Sequence, residues 1–116
     1  DEEEDAREVA REALARYGYR PLAAAGRGEA LDVFRTHAAG IAAVVLGVGA
    51  PHRAAEQTLL RLKALGNVPV LIATGHSEPA VRRNLSAHEI AGLVPKPYSA
   101  AVLATRVRAA LDQRAA

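Results

Sequence analysis

Four short stretches of the chain carry side chains that could bind an ion or take part in catalysis. They are the acidic run Asp1 to Asp5, the segment Gly47-Val48-Gly49, the segment Thr74-Gly75-His76-Ser77, and the segment Lys96-Pro97-Tyr98. Carboxylates are the ligands that hard divalent cations prefer, and a lysine beside them can neutralise them without a metal ion. If the fold brings these stretches together, acids, a hydroxyl group and one cation would share a site.

Two of these stretches suggest enzyme sites that their spacing does not support. Glycines after a strand let a backbone approach pyrophosphate, but the sixth position of that fingerprint is His52, and Pro51 interrupts the turn. Thr74 is two residues from His76, and proximity in sequence does not establish a nucleophile with its base. We therefore interpret Thr74 first as a structural hydroxyl at a strand end, and the acidic run as either a cation site or a solvated helix start.

Hydrophobic periodicity predicts an alternation of helices and strands that could position these residues. The predicted helices span residues 6–17, 26–39, 53–65, 79–85 and 100–113, and the predicted strands span residues 19–25, 41–48, 68–73 and 91–94. Residues 41–48 are continuously apolar, as expected for a strand covered on both faces. Alternating strands and helices imply parallel pairing, with functional residues at the carboxyl ends of the strands.

Composition limits the classes of protein to which the chain can belong. Its 116 residues are 50% hydrophobic and 24% charged, which predicts one folded domain over residues 1–116. With no cysteine, it can form neither a disulfide framework nor a thiolate metal site. A net charge of +2 and 3% aromatic residues predict no nucleic-acid surface. No apolar run approaches the roughly 20 residues that span a bilayer, so we predict no membrane span and, by default, a cytoplasmic location.

The order of elements and several motifs resemble the receiver domains of two-component response regulators and hybrid histidine kinases. The motifs that carry the resemblance are the acidic run before the first helix, Gly18-Tyr19, Leu46-Gly47-Val48-Gly49-Ala50-Pro51, Ala73-Thr74-Gly75 and Pro95-Lys96-Pro97-Tyr98. The resemblance covers essentially the whole chain. It implies a flavodoxin-like α/β fold with three layers, in which a doubly wound parallel sheet of five strands has the order 2-1-3-4-5.

The resemblance also implies roles for individual residues. Asp1 and Glu2 would be the acid pair of the pocket, Thr74 the switch hydroxyl, and Lys96 the cation that senses a phosphoryl group. We expect Lys96 to contact Asp1 or Glu2. The Lys96-Pro97 bond resembles one that the family keeps in the cis form, so we expect a cis peptide there.

Two departures from the family pattern affect the predicted chemistry. Gly47 stands where the family carries its phosphoacceptor aspartate, and Leu93 stands where it carries an aromatic switch residue. The family's magnesium ion is held by the loop acids, the acceptor aspartate and a backbone carbonyl two residues further on. Without an acceptor carboxylate, Asp1 and Glu2 are the only side chains left to bind magnesium, and they would form a weak site. We therefore predict no cofactor and no bound magnesium.

The resemblance further implies a central first strand, whereas this sequence starts at the acidic loop that would follow it. Four or five buried apolar side chains, at about 1.5 to 3 kcal/mol each, would contribute about 6 to 15 kcal/mol, comparable to the stability of a whole domain. We expect this strand to be supplied either by residues upstream of Asp1 or by another copy of the chain.

The sequence thus predicts a pseudo-receiver, a non-enzymatic interaction module of a two-component phosphorelay that cannot be phosphorylated at the usual site. Its expected partner is a histidine kinase or the remainder of its own multidomain chain, bound through the face formed by residues 79–111; a homodimer is left open. An alternative from another class is a small-ligand-binding or enzymatic flavodoxin-like domain that uses the strand-end cleft near Thr74 and Lys96. A third is a purely structural dimerisation module.

Overall fold

The computed structural model describes residues 1, 3–48, 52–75 and 90–115. The helices in these ranges are α1 (Glu4–Arg16), α2 (Arg27–His37), α3 (His52–Leu65) and α4 (Ala100–Ala115), and the strands are β1 (Val44–Val48), β2 (Val70–Thr74) and β3 (Gly92–Pro95). The three strands form one parallel sheet in the order β1-β2-β3. The predicted α/β class with parallel pairing is therefore confirmed. The helix predicted at residues 79–85 falls outside the described ranges.

Helix α1 begins directly after the acidic run and ends at a glycine. Glu4 and Asp5 occupy its first turn, where carboxylates interact favourably with the positive end of the helix dipole. Gly18 follows the helix with φ +92°, a left-handed conformation that favours glycine. Its amide donates to the Ala15 carbonyl (3.1 Å), and the next amide donates to the Leu14 carbonyl (3.0 Å). These bonds end α1 cleanly and turn the chain back along the sheet.

Strand β2 forms the centre of the core, and its side chains alternate between two apolar clusters. Leu71 and Ala73 pack on one face with residues of α1 and α4, namely Ala13, Leu103, Val107 and Ala110. Val70 and Ile72 pack on the other face with Val48 and with Leu59 of α3. All four of these β2 residues are at most 1% exposed. Helices thus cover both faces of the sheet, which gives the predicted three layers.

The sheet differs from the prediction in its number of strands. The described residues contain three strands, whereas four were predicted within this sequence and a fifth outside it, so the order 2-1-3-4-5 is not complete. Residues 19–25, predicted as a strand, have no strand conformation because no neighbouring strand pairs with them. Strand β1 begins at Val44 instead of residue 41 and lies at the sheet edge, where four of its five residues are only partly buried. At the edge, β1 has a neighbouring strand on one side only, so its apolar run is less buried than the sequence predicted.

Within the described ranges, no helix is both long enough and apolar enough to cross a membrane.

Candidate functional site

The carboxyl ends of the three strands meet at one edge of the sheet. Val48 pairs in register with Thr74, and Thr74 pairs with Pro95. The amide of Lys96 donates to the Thr74 carbonyl at 2.8 Å and continues this pairing by one rung. The Lys96-Pro97 peptide is cis, as predicted. The register therefore places Lys96 beside the ends of β1 and β2, where the sequence predicted the site.

An ion pair with little solvent exposure lies at the centre of this edge. The Lys96 Nζ atom is 2.8 Å from the Asp1 Oδ2 atom, and both side chains are 11% exposed. The predicted contact between Lys96 and Asp1 is thus present. A second carboxylate, Glu3, approaches the same ammonium at 3.2 Å but is 66% exposed. The second acid predicted from the resemblance, Glu2, lies outside the described residues.

Sequence reasoning missed Glu3, although the local spacing of the acids contains a signal for it. The Glu3 amide donates to the Asp1 Oδ1 atom at 2.9 Å, which is the hydrogen bond of an Asx turn. The Asp1 and Glu3 carboxylates both approach the Lys96 ammonium. An acid two residues after an aspartate that can form an Asx turn could therefore have been identified as the second anion.

The Asp1 carboxylate occupies the space into which a side chain at position 47 would project. A Cβ atom built on Gly47 would overlap the Asp1 carboxylate and would lie 2.8 Å from the Asp1 Cβ atom. Glycine at this position therefore allows Asp1 to pack against the end of β1. As a result, Lys96 faces a carboxylate from the acidic loop at the place where the family pattern has the acceptor.

Further hydrogen bonds of its backbone hold Asp1 in this position. Its amino group donates to the Ala24 carbonyl at 3.1 Å, and its own carbonyl accepts from the Arg7 guanidinium at 2.9 Å. Asp1 is thus attached to α1, to the segment after it, and to the loop after β3 through Lys96. These contacts orient its carboxylate toward Lys96 and the end of β1.

Thr74 and Leu93, which occupy the positions of the family's switch residues, both pack against the interior. Thr74 is 3% exposed at the end of β2. Leu93 pairs with Ile72 and packs against the cluster formed by Val48, Leu59, Val70 and Ile72. Its carbonyl accepts a hydrogen bond from the Arg106 guanidinium of α4 at 2.7 Å. Leu93 is therefore a packing residue of the sheet, with helix α4 bonded to its backbone.

Tyr98 connects the loop after β3 to helix α1. Its hydroxyl donates to the Ala6 carbonyl at 2.9 Å. Burial raises the pKa of Tyr98, and the nearby positive charge of Lys96 opposes that shift. The sequence identified Tyr98 only as part of a motif, because nothing in the sequence indicates which carbonyl its hydroxyl would reach.

The described residues do not fit a divalent cation at this edge. They contain no cluster of three or more histidine, cysteine, aspartate or glutamate side chains that could hold a metal ion. Gly47 offers no side-chain ligand, and the Asp1 carboxylate already faces the Lys96 ammonium, which would repel a cation. Glu2 and Gly49, which the family resemblance would add, are not among the described residues, so the expected absence of magnesium stays a prediction.

Comparison with solved structures shows the same architecture in several proteins. The response regulator receiver domain protein from Clostridium thermocellum superposes with a TM-score of 0.85 at 21% identity, over 99% of this chain and 92% of that chain. The N-terminal domain of a response regulator/sensory box/GGDEF three-domain protein from Carboxydothermus hydrogenoformans gives 0.80 at 24% identity, over 99% and 92%. Chemotaxis protein CheY4 from Vibrio cholerae gives 0.84 at 19% identity, over 95% and 92%.

No protein-family model matches the chain, and no curated protein matches it. At identities below 25%, the structural likeness establishes the fold of the chain. This protein therefore has the CheY-like receiver fold, with a flavodoxin-like arrangement of helices on both faces of a parallel sheet.

Proposed function

We propose that this chain is a protein-interaction module of a two-component phosphorelay and that it works without phosphorylation at the usual receiver position. The observation that carries the proposal is the arrangement at the end of β1. Gly47 offers no nucleophile there, and the adjacent space holds the Asp1 carboxylate, paired with Lys96 at 2.8 Å. Phosphoryl transfer requires an in-line nucleophile together with a cation that neutralises the transferred oxygens. In this chain Lys96 pairs with the Asp1 carboxylate instead.

Asp1 itself is a poor substitute for the missing acceptor. Its Oδ1 atom accepts the Glu3 amide and its Oδ2 atom faces Lys96. Attack on phosphorus would therefore require at least one of these contacts to break. With a partly buried Leu93 packed against the sheet in place of a rotating aromatic ring, the module also lacks the second part of the usual two-state switch. Partner binding is then constitutive or controlled by another signal.

The interaction surface that we propose is the face formed by residues 79–111, of which β3 and α4 are described. The partner would be a histidine kinase or another part of the same polypeptide. Helix α4 is joined to the sheet by the hydrogen bond from Arg106 to the Leu93 carbonyl, so it presents a fixed surface. Val102 on this helix is 38% exposed and supplies an apolar contact point.

A small-ligand-binding or enzymatic role is the second candidate function. The observation that supports it is the size of the strand-end cleft. The cleft beside Lys96 has a volume of about 530 Å³, within the range of small-molecule sites. Several polar groups in its described lining already have partners within the protein, however. Lys96 pairs with Asp1 and Glu3, and the Tyr98 hydroxyl donates to the Ala6 carbonyl. These internal contacts favour the interaction module over an enzyme.

Labelling with a phosphoryl donor tests the proposal. The wild-type protein is incubated with acetyl phosphate and magnesium, or with a phosphohistidine donor, and its intact mass is measured beside an ordinary receiver. We expect no added phosphate on the wild type. An added mass of one phosphate would overturn the proposal.

Two variants then distinguish loss of the nucleophile alone from decay of the whole pocket. In Gly47→Asp the new side chain meets the Asp1 carboxylate, so we expect little or no labelling. In the double variant Gly47→Asp with Asp1→Gly, both the carboxylate and the Cβ atom at position 1 are removed, so that space is free and Lys96 can turn to the new carboxylate. Labelling of the double variant would mean that the pocket lacks only its acceptor. Failure of both variants would mean that the rest of the phosphorylation site is lost as well.

A further inference from the structure

The outer edge of strand β3 is one of the two places where the described sheet ends. β3 pairs with β2 on one side, and no described strand pairs with its other side. An unpaired edge presents a row of backbone donors and acceptors to which an extended segment of another molecule can add. β3 spans four residues, Gly92–Pro95, and none of them carries a charge that would repel such a segment. Any protection of this edge therefore has to come from the backbone of β3 or from side chains of other elements.

The hydrogen bonds of the sheet establish which backbone groups of β3 face this edge. The Lys96 amide, directly after β3, donates to the Thr74 carbonyl of β2 at 2.8 Å. Backbone groups of successive residues in a strand point to alternate sides, so those of Val94 face β2, whereas those of Leu93 and Pro95 face the outer edge. Proline has no N–H group, so position 95 offers this edge an acceptor but no donor. Leu93 is therefore the one residue of β3 that offers both a donor and an acceptor to an added strand.

A side chain of helix α4 occupies the acceptor at this position. The Arg106 guanidinium donates to the Leu93 carbonyl at 2.7 Å, although Arg106 itself is exposed. Its neighbour Arg108 instead pairs with Asp112 of the same helix at 2.9 Å. A hydrogen bond from a charged donor is about twice as strong as one between neutral groups. The amide of an added strand would therefore have to displace a stronger donor to reach the Leu93 carbonyl.

Two copies of β3 could pair at this edge only through Leu93. In an antiparallel pair, residues directly opposite each other at the hydrogen-bonded positions exchange both of their N–H···O bonds. A two-fold axis places a residue opposite its own copy, and Leu93 is the residue of β3 that can exchange both bonds. The pair would therefore need the Leu93 carbonyl of each copy, which Arg106 occupies in both.

We propose that Arg106 closes the outer edge of β3 to strand addition by a second copy of the chain and so prevents self-association through the sheet. Its bond to the Leu93 carbonyl covers the acceptor, and Pro95 removes the next donor along the edge. Because each copy contributes one Arg106, two charged hydrogen bonds have to break before a single pair of strands can form. The contact therefore acts twice against each association.

Replacing Arg106 with methionine tests this proposal, because methionine keeps an unbranched side chain and has no hydrogen-bond donor. The matched control is Arg108→Met, which lowers the formal net charge of +2 by the same one unit at an exposed position of the same helix. Sedimentation equilibrium gives the dissociation constant for self-association of the 116-residue chain and of both variants. Hydrogen exchange followed by NMR at several protein concentrations gives the protection of the Leu93 amide.

Arg106→Met is expected to associate at least about tenfold more tightly than the wild type and Arg108→Met, with a Kd below about 1 mM, because no charged donors have to be displaced. Exchange of its Leu93 amide should slow as the protein concentration rises through this Kd. Equal association of the two variants would overturn the proposal. Tighter association of Arg106→Met without slower exchange of the Leu93 amide would also overturn it, since the copies would then meet at another surface.

Discussion

Replacing Lys96 with methionine tests whether its ion pair with Asp1 contributes to stability. The substitution keeps an unbranched side chain of similar length and removes the positive charge 2.8 Å from the Asp1 Oδ2 atom. Opposite charges about 4 Å apart interact with about 4 kcal/mol at an effective dielectric constant near 20, before desolvation is subtracted. Removing one partner of a buried pair costs about 3 to 5 kcal/mol. Because each partner retains 11% exposure, we expect a loss of about 3 kcal/mol.

Urea unfolding followed by circular dichroism measures this loss. For a domain of this size, about 3 kcal/mol lowers the midpoint by roughly 2 M at a slope of about 1.5 kcal/mol per M. The matched control is Arg108→Met, which removes the exposed ion pair with Asp112 and should cost at most about 1 kcal/mol. Adding Asp1→Asn to Lys96→Met should recover part of the lost stability, because the only carboxylate left from the pairing is that of Glu3, which is 66% exposed and therefore solvated. A loss below about 0.5 kcal/mol for Lys96→Met would refute the reasoning and make this lysine a solvated group.

Two further substitutions test other contacts of the fold. Tyr98→Phe removes the hydrogen bond to the Ala6 carbonyl and should cost about 0.5 to 1.5 kcal/mol in urea unfolding at pH 7, whereas Tyr17→Phe at a 52% exposed position should cost nothing measurable. Burial raises the pKa of Tyr98 in the folded state, so the stability that its protonated hydroxyl contributes is complete below about pH 10 and is lost as the pH rises through the pKa of the folded state. The decline in stability at alkaline pH should therefore be weaker in Tyr98→Phe than in the wild type. An identical decline would contradict this assignment. Leu59→Ala should cost about 2 to 5 kcal/mol because this side chain is 0% exposed, and Leu60→Ala at a 50% exposed position should cost much less; equal losses would mean that the helix faces the other way.

The sequence was sufficient to predict the elements that pack against several neighbours. The apolar run ending at Ala73 forms the fully buried central strand, and the alternation of elements predicted its parallel pairing. It was not sufficient for residues 19–25, because a strand needs a hydrogen-bonded neighbour and composition cannot indicate whether one is present. The same limit applies to β1, whose apolar run is typical of a buried strand but which lies at an edge. The local sequence pattern thus predicted the type of each element, whereas the presence of a hydrogen-bonded neighbour determined whether a predicted strand formed.

For the site, the sequence predicted which strand ends meet but not which side chains fill the space between them. The register places Thr74 and Lys96 together because Thr74 ends β2, Lys96 follows β3, and these two strands pair; this depends only on topology. That the Asp1 carboxylate lies against Gly47 follows from the way the acidic loop folds, through hydrogen bonds to Arg7 and Ala24. Such contacts depend on three-dimensional proximity that spacing along the chain does not encode.

The central claim, that the end of β1 cannot hold a phosphoryl group, is tested most directly with beryllium fluoride. In the presence of magnesium this compound binds an acceptor carboxylate in the geometry of a phosphoryl group, and bound fluoride gives fluorine NMR resonances separate from those of the free species. For the wild-type protein we predict only the free resonances, because Gly47 has no carboxylate and the Asp1 carboxylate is paired with Lys96. A bound resonance that disappears in Asp1→Ala would contradict the account, since Asp1 would then be a working acceptor.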